Sequence, residues 1–251
     1  MVGRRARHGS PRPLDRRGAS SLDLSLLDRF ELRSEGDQVP LPHGVQRVVA
    51  FLALQGRAVP RAFTAATLWL DVPDHRAAAR LRSALWRLPR PGPPVVEASG
   101  THLRLSPAVG VDAREMLAKA HRLLDPFCED DAADIHVTHL SGELLPGWYD
   151  EWVIFERERL RQIRLHALEA LCLRLVRTGL FGAAVEAAIT AVAADPLRES
   201  AHRALIRVYL AEGNRAEAIH HFRRYRRLLR DELDLDPSPE IVDLVRGLPV
   251  G

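Results

Sequence analysis

A repeat in the second half of the chain narrows the fold more than any other feature. The stretches "LCLRLVRTGLFGAAVEAA" and "LIRVYLAEGNRAEAIHHF" lie 34 residues apart and align without a gap. Leu171 pairs with Leu205, Leu175 with Tyr209, Gly179 with Gly213, Ala184 with Ala218 and Ala188 with Phe222. This period, with a turn glycine and a small residue in the following helix, is the tetratricopeptide pattern. The glycine permits a tight interhelical turn, and the alanine lets paired helices approach closely. Such units bury their apolar faces only by stacking, and the stack is a scaffold for protein contacts.

The surrounding sequence is helical by pattern. A long helix is predicted from Asp150 to Arg177, with Val153, Phe155, Leu160, Ile163, Leu168, Leu171 and Leu175 at helical spacing. "VDAREMLAKAHRLLD" (111–125) predicts another, and the acidic "CEDDAAD" reads as a linker. "ADP" and "LDPSP" mark helix ends, because proline is excluded from helix interiors. The arginine run "FRRYRRLLRDEL" (222–233) reads as a solvated face with Tyr225 and Leu229 turned inward.

The first half alternates before it turns helical. "LDLSLLDRFELR" (22–33) predicts a strand with Leu22, Leu24, Leu26, Phe30 and Leu32 on one face. "SEGDQ" is a turn, and "VPLP" a short partner strand with Val39 and Leu41. "HGVQRVVAFLALQG" predicts a helix with a stripe of Val45, Val48, Val49 and Leu52, closed by Gly56. "RAFTAATLWL" predicts a second helix with Leu68 and Leu70 inward. "VVEASGTHLRL" predicts a hairpin around Gly100. Strands, three helices and a hairpin, in that order, make a helix-turn-helix with a wing.

The third helix, "HRAAARLRSALWRLPR" (75–90), has two faces. Ala78, Leu81, Leu85 and Leu88 share one; Arg76, Arg80, Ser83, Arg87 and Arg90 share the other. Asp74 is placed as the N-cap, and Pro89, Pro91, Pro93 and Pro94 stop the helix. Surface helices usually mix charge signs, so that neighbours attract. An acid-free arginine face reads either as a solvated surface or as a site for a polyanion. In a winged helix it lies free to meet DNA, where arginine pairs with guanine edges or phosphates. Trp86, at the border, is expected to pack beside Leu85 rather than to touch a sugar or base.

Net charge supports that reading. Residues 1–114 carry 18 arginines and 10 acids, a balance of +8; residues 115–251 carry 18 basic residues and 23 acids, a balance of −5. A basic half joined to an acidic half implies that one faces a polyanion and the other does not. Residues 1–20, rich in arginine with no apolar run behind them, read as a disordered, solvated tail rather than a secretory signal. No apolar run reaches transmembrane length, so no membrane is expected. Cys128 and Cys172 fit no metal or redox spacing, which suits a reducing compartment. His136 and His139 lack the further ligands of a zinc site, and His220 and His221 point to different helix faces. With no phosphate loop, nucleophile elbow or metalloprotease motif, no enzyme and no cofactor are expected.

These pieces resemble the Streptomyces antibiotic regulatory protein family in its short form, whose second half is a bacterial transcriptional activator domain. The resemblance covers about residues 22–248 and is carried by "AARLRSALWRL", "LLPGWYDEWVIFERERLRQIRLHALE" and "AHRALIRVYLAEGNRAEAIHHFRRYRRLLRDELDLDPSPE". It implies a cytoplasmic, nucleoid-associated activator. Such a protein sits on promoter-proximal direct repeats as a side-by-side dimer and recruits RNA polymerase holoenzyme, commonly at specialised-metabolite genes.

The expected fold is mainly α with small β-hairpins. A basic tail (1–20) precedes a winged helix-turn-helix (21–110) and a tetratricopeptide-like α-helical domain (111–251). Double-stranded DNA is expected to meet Arg76, Arg80, Arg82, Ser83 and Arg87 on the third helix, and Thr101, His102 and Arg104 at the wing. The competing reading is a tetratricopeptide adaptor whose winged domain binds protein. An adaptor has no use for an acid-free arginine face.

Overall fold

The computed structural model describes residues 22–89, 94–127 and 134–248. The basic tail, Arg90 with Pro91 and Pro93, and most of the acidic linker with Cys128 lie outside the described residues.

The predicted first strand is two strands. β1 (Leu22–Ser25) runs antiparallel to β2 (Glu31–Ser34), with Leu24 opposite Leu32. The chain reverses at Asp28, whose backbone is left-handed at φ 65°. Aspartate tolerates that conformation better than most residues. Here it is tied down from both sides: Asp28 N–H donates to the Glu143 carbonyl at 2.7 Å, and its own Oδ1 accepts from Glu143 N–H at 2.9 Å. A second turn at Glu35–Gly36 leads to β3 (Asp37–Gln38), which takes the place expected for "VPLP". Val39 and Leu41 still turn inward from the chain beyond it.

Three helices follow. α1 (His43–Gln55) ends, as predicted, on a left-handed Gly56. β4 (Val59–Pro60) then leads into α2 (Arg61–Leu68) and α3 (Asp74–Trp86). Leu68 is buried as expected, but Leu70, beyond the end of α2, is 69% exposed. β5 (Val96–Ser99) and β6 (His102–Leu105) form the predicted hairpin at Gly100, and β4 joins its far side. β7 (Val109–Val111) closes the region by pairing in parallel with β1.

The second half begins with α4 (Asp112–Leu124), a short 3-10 turn (Val137–Leu140) and α5 (Glu151–Arg177). In α5, Val153, Leu160, Leu168 and Leu171 are buried, but Phe155 is 69% exposed and leaves the predicted stripe. α6 (Phe181–Ala194), α7 (Glu199–Glu212) and α8 (Arg215–Leu233) complete the repeat, and α9 (Pro239–Val245) packs on its end. The 34-residue register appears directly in the packing. Leu171 and Leu205 are both buried, Ala184 and Ala218 have no exposed surface, and Gly179 and Gly213 both take left-handed φ between their helices. Tyr225 and Leu229 are buried on α8 as predicted.

One continuous apolar core runs from Leu22 to Val208. It joins the winged region to the helical hairpins through several residues. Asp112 accepts N–H bonds from Leu26 at 2.8 Å, Leu27 at 3.1 Å and Ala113 at 2.6 Å. Leu27 bridges to Leu144, and Leu145 N–H donates to the Leu26 carbonyl at 2.9 Å. Gly142 turns beneath Leu27 at φ 94°; a Cβ there would sit 2.9 Å from the Leu27 Cβ, so only glycine fits. On the other side, Phe51 of α1 meets the Trp152 ring edge-on at 5.4 Å, and Arg47 pairs with Asp150.

Candidate nucleic-acid interface

α3 forms between Pro73 and a proline-rich exit, and most of its residues are alanine, leucine and arginine, all good helix formers. Pro73 occupies the N-cap position and Asp74 lies in the first turn, where its charge suits the helix dipole without a side-chain cap bond. The helix ends at Trp86, short of the predicted Arg90, with Arg87 as the C-cap. Leu88 precedes Pro89, and a residue in that position is disfavoured from helical geometry.

The inward face is not quite the one the leucines suggest. Ala77, Leu81 and Ala84 are buried, while Ala78, Leu85 and Leu88 are only partly so. By helical spacing, the line directly opposite that buried stripe carries His75, Ala79, Arg82, Ser83 and Trp86. All five are exposed, and Trp86 reaches 73%. Trp86 therefore does not pack in the core. Arg76, Arg80 and Arg87 are exposed along one flank of the same surface.

No guanidinium of Arg76, Arg80, Arg82 or Arg87 makes a hydrogen bond or ion pair with any described residue. Many other arginines are engaged, though Arg57, Arg207, Arg215 and Arg227 are likewise without a side-chain partner among the described residues. Arg29 and Arg33 hold Glu31, Arg161 holds Glu158 and Asp195, and Arg198 holds Glu169. The α3 arginines are thus a concentrated, unneutralised charge on an outward helix.

The wing adds polar groups but no unpaired guanidinium. Thr101 and His102 are exposed at the hairpin tip, their side chains 3.1 Å apart. Arg104 is exposed on β6 but not free: its Nε donates to Glu97 Oε2 at 2.8 Å across the hairpin, and Ser106 Oγ donates to the other carboxylate oxygen at 3.2 Å. Sequence reasoning named the eight residues without this partner. It also missed His75 and Ala79 on the outermost line of α3, which only the observed burial stripe identifies.

Two pairs of histidines are engaged within the protein. His139 Nδ1 accepts from His136 N–H at 3.1 Å. His202 Nε2 faces the Pro196 carbonyl at 2.8 Å, which makes that nitrogen the protonated one. Its Nδ1 then accepts from His221 Nε2 at 2.9 Å, and its ring stacks on Tyr225 at 4.0 Å. Burial lowers the pKa of both; His221 is pushed down to about 4, with the neighbouring His202 and Arg224 adding to the effect. Among the described residues there is no group of three or more His, Cys, Asp or Glu placed to hold a metal, and no helix is long and apolar enough to cross a membrane.

Comparison with known proteins bears on both halves. Residues 129–248 match the bacterial transcriptional activator domain. Regulatory protein AfsR of Streptomyces coelicolor is 28% identical over 243 residues, covering 92% of this chain and 24% of that protein. Its counterpart in Streptomyces griseus is 28% identical over 222 residues, covering 85% of this chain and 22% of that protein. The chain thus spans about a quarter of the length of these curated relatives. Mycobacterium tuberculosis EmbR, solved in complex with a low-affinity phosphopeptide, superposes with a TM-score of 0.71 at 22% identity, over 90% of this chain and 64% of that one. That likeness is one of fold.

Proposed function

We propose that this chain, whose residues 129–248 match the bacterial transcriptional activator domain, is a transcriptional regulator of the Streptomyces antibiotic regulatory protein type that activates transcription by binding promoter DNA through α3. The observation that carries the reading is the set of four exposed α3 arginines without a partner among the described residues. Placed in the major groove, Arg82 and Ser83 on the outermost line meet base edges, while Arg76, Arg80 and Arg87 on the flank reach bases or phosphates. Thr101, His102 and Arg104 of the wing add contacts to backbone or minor groove. The stacked hairpins of α5–α8 supply a rigid surface for a second copy and for RNA polymerase. Two chains on directly repeated half-sites meet head-to-tail, not about a two-fold axis. Specialised-metabolite genes are the proposed targets, and the winged domain (21–110) and the repeat domain (111–251) are the proposed division of labour.

Fluorescence anisotropy on a promoter fragment at graded salt tests the reading. Phosphate contacts release counterions, so log K falls linearly with log salt by about 0.9 per contact. A slope of at least about −4 is expected from the α3 arginines and the wing. A slope near zero favours the adaptor reading and overturns this one. Two direct copies of the site should bind two chains cooperatively, and inverted copies should not.

A further inference from the structure

Between the end of α3 and β5, the edge strand of the wing, runs a groove of about 440 Å³. Arg61, the first residue of α2, and Arg82 of α3 both line it. Leu85, Trp86 and Val96 supply apolar wall. No acid stands among the described residues that line the groove, so its charge is of one sign.

Arg61 escapes a sequence reading because it belongs neither to the two-faced helix nor to the hairpin. The fold brings it to both. Its backbone N–H donates to the Thr101 carbonyl at 2.8 Å, and the residue before it, Pro60, pairs with His102 across β4 and β6. Arg61 is therefore held at the wing tip, next to two candidate DNA contacts. It shares the groove with two more, Arg82 and Trp86, from the outermost line of α3.

The Arg61 side chain makes no hydrogen bond or ion pair with any described residue. Arg57, Arg207, Arg215 and Arg227 share that property, but all four are exposed. An exposed guanidinium gains little from a partner, because water already solvates it. Arg61 is half-buried, and its Nε is closed off from solvent without an acceptor. A cation partly withdrawn from water without a counter-charge is unfavourable. A second partnerless arginine on the same groove, Arg82, adds like-charge repulsion. Both costs fall when an anion enters.

We propose that Arg61 is a DNA-backbone contact, holding a phosphodiester of the strand whose base Arg82 reads. The groove between α3 and β5 receives that stretch of backbone. The phosphate is met by the outer Nη groups, not by the enclosed Nε, and the apolar wall takes the C–H edges of the sugars. A phosphate carries no sequence information, so Arg61 adds affinity and register rather than base choice. This rests on the DNA-binding reading.

Anisotropy on the promoter fragment across a salt series, with the full chain, tests the assignment. Arg61→Met keeps the stem and removes the charge. It should bind all sequences about threefold to tenfold more weakly and flatten the log K against log salt line by about 0.9. Arg61→Lys should keep the parental slope. Arg215→Met, which removes an exposed partnerless charge from α8, should change neither slope nor affinity. Arg61→Gln replaces the methionine variant should that one lose its thermal transition. A scan that makes each phosphate in turn a neutral methylphosphonate then locates the contact. One linkage should weaken the parent and leave Arg61→Met unaffected, which a merely structural role for Arg61 does not produce. A parental slope for Arg61→Met, a fall shared by Arg61→Lys or Arg215→Met, or a scan identical for parent and Arg61→Met overturns the assignment. The two failures are distinct: a parental slope near zero removes the DNA-binding reading itself, whereas a steep parental slope unchanged in Arg61→Met removes only Arg61.

Discussion

Trp86 offers the sharpest test of which surface meets DNA. An exposed tryptophan side chain presents up to about 250 Å². At 73% exposure, roughly 180 Å² of that remains open to solvent here. Covering half of it against sugars and bases, at about 25 cal/mol per Å², contributes roughly 2 kcal/mol. That is about thirtyfold in affinity. Trp86→Ala should leave the fold intact, because exposed substitutions usually change stability by less than about 0.5 kcal/mol. The assay is anisotropy across a salt series, read as log K against log salt. Trp86→Ala should give a line displaced downward but parallel to the parent, since no charge has been removed. Arg82→Ala, on the same outermost line, should cost about 1–3 kcal/mol on the specific site and relax specificity at the base it meets. An affinity within about twofold of the parent for Trp86→Ala, with the thermal transition preserved, would show that this line of α3 does not face the duplex.

Two further outcomes follow from ion pairs and histidines. Glu97 holds Arg104 across the wing. Glu97→Gln should therefore raise affinity for all sequences a few-fold, and Arg104→Ala should lower it uniformly; an effect confined to one operator would remove the wing from backbone contact. The His202–His221 pair makes the repeat region acid-sensitive. Both pKa values lie below the ordinary histidine value in the folded chain, so the unfolded chain binds protons first as pH falls. Stability is full above about pH 6.5 and declines toward pH 4, by about 1–2 kcal/mol after allowing for the partial exposure of His221. Urea midpoints at pH 7 and pH 5 check this, and His221→Phe should flatten the difference.

The second half was legible because its signal is local. A 34-residue period fixes the spacing of a turn glycine and a close-approach alanine, and the burial of Ala184 and Ala218 follows directly. The first half was legible in its helices and its wing, and less so in its strands. Nothing in Leu22–Ser25 announces a parallel partner at Val109–Val111, because parallel pairing joins distant segments without a turn. The reversal at Asp28 was hidden because its left-handed backbone is stabilised by Glu143, 115 residues away. In α3 the leucines drew the buried face toward Leu85 and Leu88. The observed stripe is set by Ala77 and Ala84, whose small side chains let α3 approach its neighbours. That rotation is what carried Trp86 from an expected core position to the outermost line.

The shared core also bears on how the two jobs can be separated. A cut after residue 112 follows the proposed domain boundary and keeps every candidate DNA contact. It also removes α4, which packs on β1, and the partners of Phe51, Leu26 and Leu27. Phe51 and Leu26 are at most 1% exposed in the full chain, and Arg114, just past the cut, donates to the Ala53 carbonyl at 2.7 Å at the end of α1. Uncovering large core side chains removes about 1.5–3 kcal/mol each. A few such losses approach the about 5–15 kcal/mol that holds a whole domain. A fragment of residues 22–112 should therefore show no cooperative thermal transition, and it should bind DNA weakly or not at all for want of a fold. The division of labour has to be tested inside the full chain. Arg207 and Arg227 are exposed on α7 and α8. Reversing them to glutamate in the full chain should preserve both the fold and promoter affinity, yet lower transcription in a purified polymerase assay if this face meets a partner. Full activation by that double variant would move the partner surface elsewhere. A cooperatively folded 22–112 fragment with parental DNA affinity would refute the claim that the two halves stand on one core.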